Sequence, residues 1–352
     1  MDQTKFMVYG ATGYTGQLVV AEAVASGLRP VLAGRSAEKL ARTARRWGLE
    51  TRTVALGDAD GLVSALQDVA VVLHCAGPFS RTAEPVVEAC LRTHTHYLDV
   101  TGEVAVFEAL AARDAAASQA GIMILPGVGF DVLPSDCLIA DLAARHPGGR
   151  RIRLGLAALS GVSRGTLRTV LEGLGDIRIR CDGALVRVAP GSLRHEFDFG
   201  EGPDAALISV LGDVATAYRS TGIPNIETYG QANRQFRLLT WTGRRLGWLL
   251  ARRLPRHVLD IGIKWGPAGP NERGRQASSA IFVAEIEDAD GNRATARLRA
   301  PDPYGFTARA ATAIAAHALR GDLKIGYQTP SSAYGADFVR QFEGVEWDQL
   351  ES

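Results

Sequence analysis

Three glycines at even spacing, Gly10, Gly13 and Gly16, follow directly on the apolar run Phe6–Tyr9. In the segment Gly10-Ala11-Thr12-Gly13-Tyr14-Thr15-Gly16 they let the chain turn tightly and bring backbone N–H groups close to an anion. Helical content begins at Gly16, so the partial positive charge of a helix N-terminus faces the same spot. A strand, a glycine turn and a helix in that order predict a pyrophosphate cradle, with Thr12, Tyr14 and Thr15 beside the glycines. The competing reading is a structural turn.

About twenty residues further on, a site for an unphosphorylated ribose would place Asp or Glu. Ala33-Gly34-Arg35-Ser36 stands there instead, with Lys39 one turn later. A guanidinium can grip a 2′-phosphate bidentately, whereas a carboxylate would repel it. The expected dinucleotide is therefore NADP(H), with Arg35, Ser36 and Lys39 on its phosphate. Asp58 is a candidate for the adenine side or, alternatively, a helix cap. The run His74-Cys75-Ala76-Gly77-Pro78-Phe79 ends a continuously apolar strand, and Ala76, Gly77, Pro78 and Phe79 are expected to wall the nicotinamide ribose. His74 is read as pointing into the strand's packing layer.

Hydride chemistry on a polarised double bond also needs a proton donor or a hydrogen bond to developing charge. The segments Tyr97–Glu103 and Pro126–Asp136 are the candidates to supply it. Tyr97 and Asp131 are taken as the catalytic pair, with Glu103 and Ser135 on the substrate. Asp99, Thr101, Ser135 and Asp136 also read as caps of turns and helices. Ser163-Arg164-Gly165-Thr166 precedes a helical stretch, where Arg164 and Thr166 suit a substrate carboxylate or phosphate; a simple capped helix explains them equally well. No residue set has metal-ligand spacing.

Several of these segments resemble the saccharopine dehydrogenase-like oxidoreductases, and among them the trans-acting enoyl reductase branch in particular. The resemblance rests on the glycine turn, Ala33–Ser36, Cys75–Phe79 and Tyr97-Leu98-Asp99-Val100-Thr101-Gly102-Glu103. It continues in Gly127-Val128-Gly129-Phe130-Asp131-Val132-Leu133-Pro134-Ser135-Asp136, Ser163–Thr166, Gly222-Ile223-Pro224-Asn225 and Gln328-Thr329-Pro330. It implies a Rossmann domain, a substrate domain inserted after about residue 130, a returning C-terminal helix, and hydride transfer with nicotinamide. Members act on C=N bonds between amino-acid pieces or on C=C bonds of acyl chains. Gly129-Phe130-Asp131 and Leu133–Asp136 match the enoyl reductase branch better, and no second set of arginines stands ready for two amino-acid carboxylates.

The elements needed to position these residues are legible in outline. Short apolar runs alternate with helical stretches through the first third, which predicts a parallel sheet covered on both faces. Beyond residue 130, period-two segments at Arg151–Ser160, Ile177–Val188 and Ser279–Ala300 predict a mixed or antiparallel sheet. The expected class is α/β: a doubly wound N-terminal Rossmann domain (1–130), an α+β substrate or oligomerisation domain (131–305), and a C-terminal helix and tail (306–352) packing back on the first.

With 352 residues, 46% hydrophobic and 22% charged, the chain can build two cores. A net charge of +1 gives no general pull toward nucleic acid. The four cysteines lack redox or metal spacing, which suits reduced thiols in a cytoplasmic protein. The stretch Phe236–Pro255 mixes Trp241, Trp248 and leucines with arginines, too charged to span a membrane; it could cover an apolar substrate, touch a membrane surface or mediate oligomer contacts, and a lid or packing helix is favoured over a membrane anchor. The expected partners are a small, fairly apolar substrate bearing an activated C=C or C=N bond and, by family analogy, a second copy in a homodimer. A silent NADP-binding sensor or scaffold, with lipid association as one form of it, is the alternative from another class.

Overall fold

The computed structural model describes residues 4–158, 176–232, 272–276 and 278–350. Arg164, Thr166 and the stretch 236–255 lie outside the described residues. The chain divides into two compact units, residues 1–133 with 304–335, and residues 134–303 with 336–352.

The first unit is built on a seven-stranded sheet. Its strands are β1 (Lys5–Tyr9), β2 (Val31–Gly34), β3 (Thr51–Thr53), β4 (Val69–His74), β5 (His96–Asp99), β6 (Met123–Leu125) and β15 (Gly326–Tyr327). They lie in the order β15-β6-β5-β4-β1-β2-β3, and every pairing is parallel. Strand order reverses between β1 and β4, so the C-terminal ends of these two strands open the crevice where doubly wound sheets bind ligands. β4 is buried at nearly every position because helices cover both of its faces. Fully buried Leu73, Leu98 and Phe107 each contribute about 2 kcal/mol of hydrophobic stabilisation.

Local chemistry sets most helix ends. The helix α1 (Tyr14–Ala25) starts at Gly13 without a side-chain cap or an acidic residue in its first turn. By contrast α2 (Ala37–Trp47) opens on Ser36, whose side chain accepts from the Lys39 N–H, and closes on a left-handed Gly48. Next, α3 (Ala59–Leu66) is capped by Asp58. The helix α4 (Phe79–Thr93) begins three residues before the helical content at Thr82–Arg92 predicts. Its N-cap, Pro78, supplies no side-chain bond, and the cap arrives from elsewhere in the chain. After β5 the helix-forming stretch Val104–Ala120 makes two helices, α5 (Val104–Ala111) and α6 (Asp114–Ala120).

The second unit starts with α7, which runs Leu133–Arg145. Its sheet comprises β7 (Gly149–Ala158), β8 (Arg178–Cys181), β9 (Ala184–Arg187), β10 (Arg194–Asp198), β11 (Pro203–Ile208), β12 (Asn225–Gln231), β13 (Ser279–Asp288), β14 (Arg293–Pro301) and β16 (Glu346–Leu350). The path runs β10-β11-β12-β7-β13-β14-β16, with β8 on β12 and β9 on β8. Only β12 and β7 pair in parallel among these strands. Period-two burial is plain in the long hairpin: Ala280, Phe282, Ala284 and Ile286 stand beside Ala300, Leu298, Ala296 and Ala294 on one buried face of the sheet.

The C-terminal segment divides where the sequence reading keeps it whole. The helix Pro303–Leu319 and β15 belong with the first sheet, but β16 pairs with β14 in the second. Trp347 and Leu298 stand opposite each other in that pairing, so the tail completes an edge of the second sheet.

Candidate dinucleotide site

Gly10 occupies φ +85°, and a Cβ there would lie 2.9 Å from both Cβ and N of Ala76. Only glycine lets the turn after β1 approach the turn after β4 this closely. At Gly16 a Cβ would sit 2.3 Å from the Gly10 carbonyl oxygen, so the third glycine seats α1 against the strand end. Gly13 is exposed between them, at the helix N-terminus. Thr12 and Thr15 are half-buried, and the Thr12 carbonyl accepts from the Gln17 side chain. Tyr14, also half-buried, meets Tyr304 edge-on at 5.1 Å. This is the shape a pyrophosphate cradle requires, and the residues present fit a dinucleotide.

Arg35 emerges, exposed, from the C-terminal end of β2, next to the crevice. It is close enough to Tyr9 to act electrostatically on its phenol. Lys39 is exposed one turn along α2. Asp58 is committed: its carboxylate accepts from the Gly61 N–H at 2.9 Å as the cap of α3. That is the cap reading the sequence left open for it.

On the other side of the switch point the polar groups interlock. Glu103 accepts from the N–H groups of Phe79 at 2.8 Å and Ser80 at 2.9 Å. It is the missing cap of α4, a carboxylate placed on a helix N-terminus from 24 residues away. This corrects its assignment to substrate. The Glu103 N–H in turn donates to the Thr101 hydroxyl.

Asp99 is fully buried at the end of β5. One of its oxygens accepts from the N–H groups of Thr101 and Gly127, at 2.9 and 3.0 Å; the other accepts from the Tyr97 hydroxyl at 2.8 Å. Burial outweighs these bonds and pushes the Asp99 carboxyl up to about 6. Tyr97 is also fully buried, and burial and the neighbouring carboxylate hold its phenol well above its ordinary value. It cannot meet a ligand directly, which corrects its assignment as a catalytic acid; it orients Asp99 instead.

Asp131 is different. Solvent reaches its side chain, yet the surrounding protein desolvates the carboxyl and pushes it up to about 6. It lies over Gly102, where a Cβ would be 3.2 Å from its Oδ2. The loop that carries it is fixed by Thr307, whose hydroxyl accepts from the Phe130 N–H at 3.0 Å. Thr307 and Tyr304 come from the helix Pro303–Leu319, and nothing in the local sequence marks them for this loop. Ser135 is fully buried in the first turn of α7, away from solvent. Neighbouring Asp136 accepts from the Ser220 hydroxyl within the second unit. Both read as structural.

His74, at the end of β4, is fully buried among Tyr9, Phe79 and Tyr97. Burial lowers its pKa to about 3. All four cysteines are free thiols. Among the described residues there is no metal-holding cluster, and no helix is long and apolar enough to cross a membrane.

Comparison with known proteins agrees with this geometry. Residues 6–125 match the model of the saccharopine dehydrogenase NADP binding domain. A saccharopine dehydrogenase-like oxidoreductase of Bos taurus is 31% identical over 150 residues, covering 37% of this chain and 35% of the relative. A trans-acting enoyl reductase of Mycobacterium leprae is 37% identical over 148 residues, covering 40% of this chain and 35% of that protein. The alignments thus span about a third of these relatives' length. The fold is shared more widely: saccharopine dehydrogenase (L-Glu forming) from Saccharomyces cerevisiae superposes with a TM-score of 0.65 at 14% identity, covering 99% of this chain and 100% of that one. Over residues 6–125 the chain is thus similar to the NADP binding domain of the saccharopine dehydrogenases.

Proposed function

We propose that this protein is an NADPH-dependent reductase of an activated C=C or C=N bond in a small, fairly apolar substrate. The observation that carries the reading is the join between the Gly10–Gly16 cradle and an exposed Arg35 at the end of β2, where no carboxylate stands. Gly10, Gly13 and Gly16 would admit the pyrophosphate, and Arg35 with Lys39 would hold the 2′-phosphate. When bound, NADPH supplies a hydride.

The chain's own contribution to the reaction is a placed proton. Asp131 is solvent-accessible and fixed over Gly102, and desolvation by the surrounding protein pushes its carboxyl up to about 6. A carboxyl so poised can protonate the carbon or nitrogen left electron-rich by reduction. Glu103 spends its oxygens on backbone N–H groups, and Asp99 its own on two backbone N–H groups and the Tyr97 hydroxyl, and so they keep the loops around Asp131 in register. In the described part of these loops no arginine or lysine joins them, which suits an uncharged reacting end.

The reading is tested by incubating the protein with 4-deuterated NADPH and a panel of α,β-unsaturated thioesters and cyclic imines. Stereospecific deuterium in one product class, lowered at least tenfold in Asp131→Asn, is expected. A protein that binds NADPH but transfers no label to either class would instead be a sensor or scaffold.

A further inference from the structure

The fully buried imidazole of His74 touches no solvent, and its Nδ1 has no hydrogen-bond partner. An unpaired acceptor in a dry site costs stability, so its retention calls for a reason. The other ring nitrogen shows one. Nε2 lies 3.0 Å from the Thr82 hydroxyl, which itself donates to the Pro78 carbonyl at 3.0 Å. Because the Thr82 proton is already committed, its oxygen must accept from His74, and the ring is the Nε2–H tautomer. The low pKa agrees, since a second ring proton would be stranded in apolar surroundings.

The chain His74 to Thr82 to Pro78 ends on the turn whose other side is gripped by Glu103 through the N–H groups of Phe79 and Ser80. Phe79 also packs edge-on to the His74 ring at 5.3 Å. This turn follows β4, in the second half of the doubly wound sheet, opposite the half that carries Arg35. The two mononucleotide halves of such a fold serve the two halves of a dinucleotide.

We propose that His74 is a positioning residue for the nicotinamide half of the cofactor, acting through Thr82 on the Pro78–Phe79 turn. The proposal rests on the NADPH reading above and adds a residue that contacts no ligand. It predicts a separation between stability and binding, because His74→Leu removes an unpaired buried acceptor along with the useful donor.

The test is titration of the full chain with two probes, NADPH and adenosine 2′,5′-bisphosphate, the latter lacking the nicotinamide half. The variants are His74→Leu, His74→Gln, Thr82→Val and Thr82→Ser. NADPH affinity should fall about tenfold in His74→Leu and Thr82→Val, and stay within about threefold in His74→Gln and Thr82→Ser, which keep a donor and a hydroxyl. Affinity for the bisphosphate should stay within about twofold throughout, and the melting midpoint of His74→Leu should equal or exceed that of wild type. Unchanged NADPH binding in a folded Thr82→Val protein would overturn the proposal, as would parallel loss of both probes. If wild type binds neither probe, the dinucleotide reading itself fails, and this inference with it.

Discussion

The two halves of the Rossmann sheet solve the same task with opposite means. In the half formed by β1, β2 and β3 the site is made of backbone shape and exposed charge: glycines that admit an anion, and Arg35 and Lys39 in solvent. In the half formed by β4, β5 and β6 it is made of buried and half-buried polar groups that bind one another: His74 with Thr82, Tyr97 with Asp99, Glu103 with the start of α4. The first arrangement is set by short stretches of sequence and tolerates water. The second exists only when distant segments meet, and its charges are tuned by burial. One half is suited to holding a cofactor's phosphates, the other to fixing the geometry and protonation of a reacting end.

The sharpest way to break the comparison is to give the first half a side chain it has no room for. Gly16→Val places atoms where even a Cβ would be 2.3 Å from the Gly10 carbonyl. The expected cost is about 3 kcal/mol or more, from displaced backbone at the strand–helix join. Denaturant unfolding should show this loss, and NADPH should no longer raise the melting midpoint. A Gly16→Val protein of wild-type stability that still responds to NADPH would mean the turn does not form the cradle.

The second half should answer to pH instead. Asp99 holds its proton up to about pH 6 in the folded chain, whereas an ordinary aspartate loses it near 3.8. Between these values the folded state carries a proton that the unfolded state lacks, so rising pH removes stability. The loss is about 3 kcal/mol across the window, at about 1.4 kcal/mol per pH unit. His74 works the other way: below about 6.5 the unfolded chain takes up a proton that the folded ring refuses down to about 3, so rising pH adds stability there. The two oppose each other in the raw profile. Asp99→Asn separates them, because its oxygen can still accept from Thr101 and Gly127 while its amide turns the Tyr97 bond around. Relative to wild type the variant should gain stability between pH 4 and 6 by urea unfolding. A difference independent of pH would show that Asp99 does not titrate as its burial demands.

The same contrast explains what could be read before the fold was known. The glycine turn and the apolar β4 are each specified within a few residues, whereas Ser36, expected on the phosphate, accepts from the Lys39 N–H as the cap of α2. The parallel sheet followed from alternation, and the second sheet from period-two runs. The start of α4 was not legible, because the group that caps it is Glu103, separated from Phe79 by a strand and a turn. Tyr97 looked like a proton donor because its segment follows a strand toward the crevice. Only the packing of β5 between β4 and β6 shows that its hydroxyl faces inward to Asp99. Thr307 could not be linked to Phe130 at all from sequence, since 177 positions separate them. Polar residues in loops advertise chemistry, while burial decides which of them keep a free hand.

The smallest effects come from comparing two charged residues within the first half, Arg35 and Asp58. Arg35 is exposed and placed for a phosphate, so Arg35→Ala should leave stability within about 0.5 kcal/mol of wild type. It should weaken NADPH binding by about 2 kcal/mol, with NADH little affected, read by tryptophan fluorescence. Asp58 is also exposed, but its carboxylate is spent on the Gly61 N–H. Asp58→Ala should cost about 1 kcal/mol of stability through the lost cap and leave the affinities for both nucleotides unchanged. The pair is informative because both residues end β-strand turns on the same side of the crevice, and both are polar enough to attract a functional reading. If Asp58→Ala lowers affinity for NADPH and NADH alike while stability holds, its cap is incidental and the carboxylate reaches the adenosine. If Arg35→Ala weakens both nucleotides equally, the guanidinium does not distinguish a 2′-phosphate, and the cofactor preference of this half has to come from Lys39.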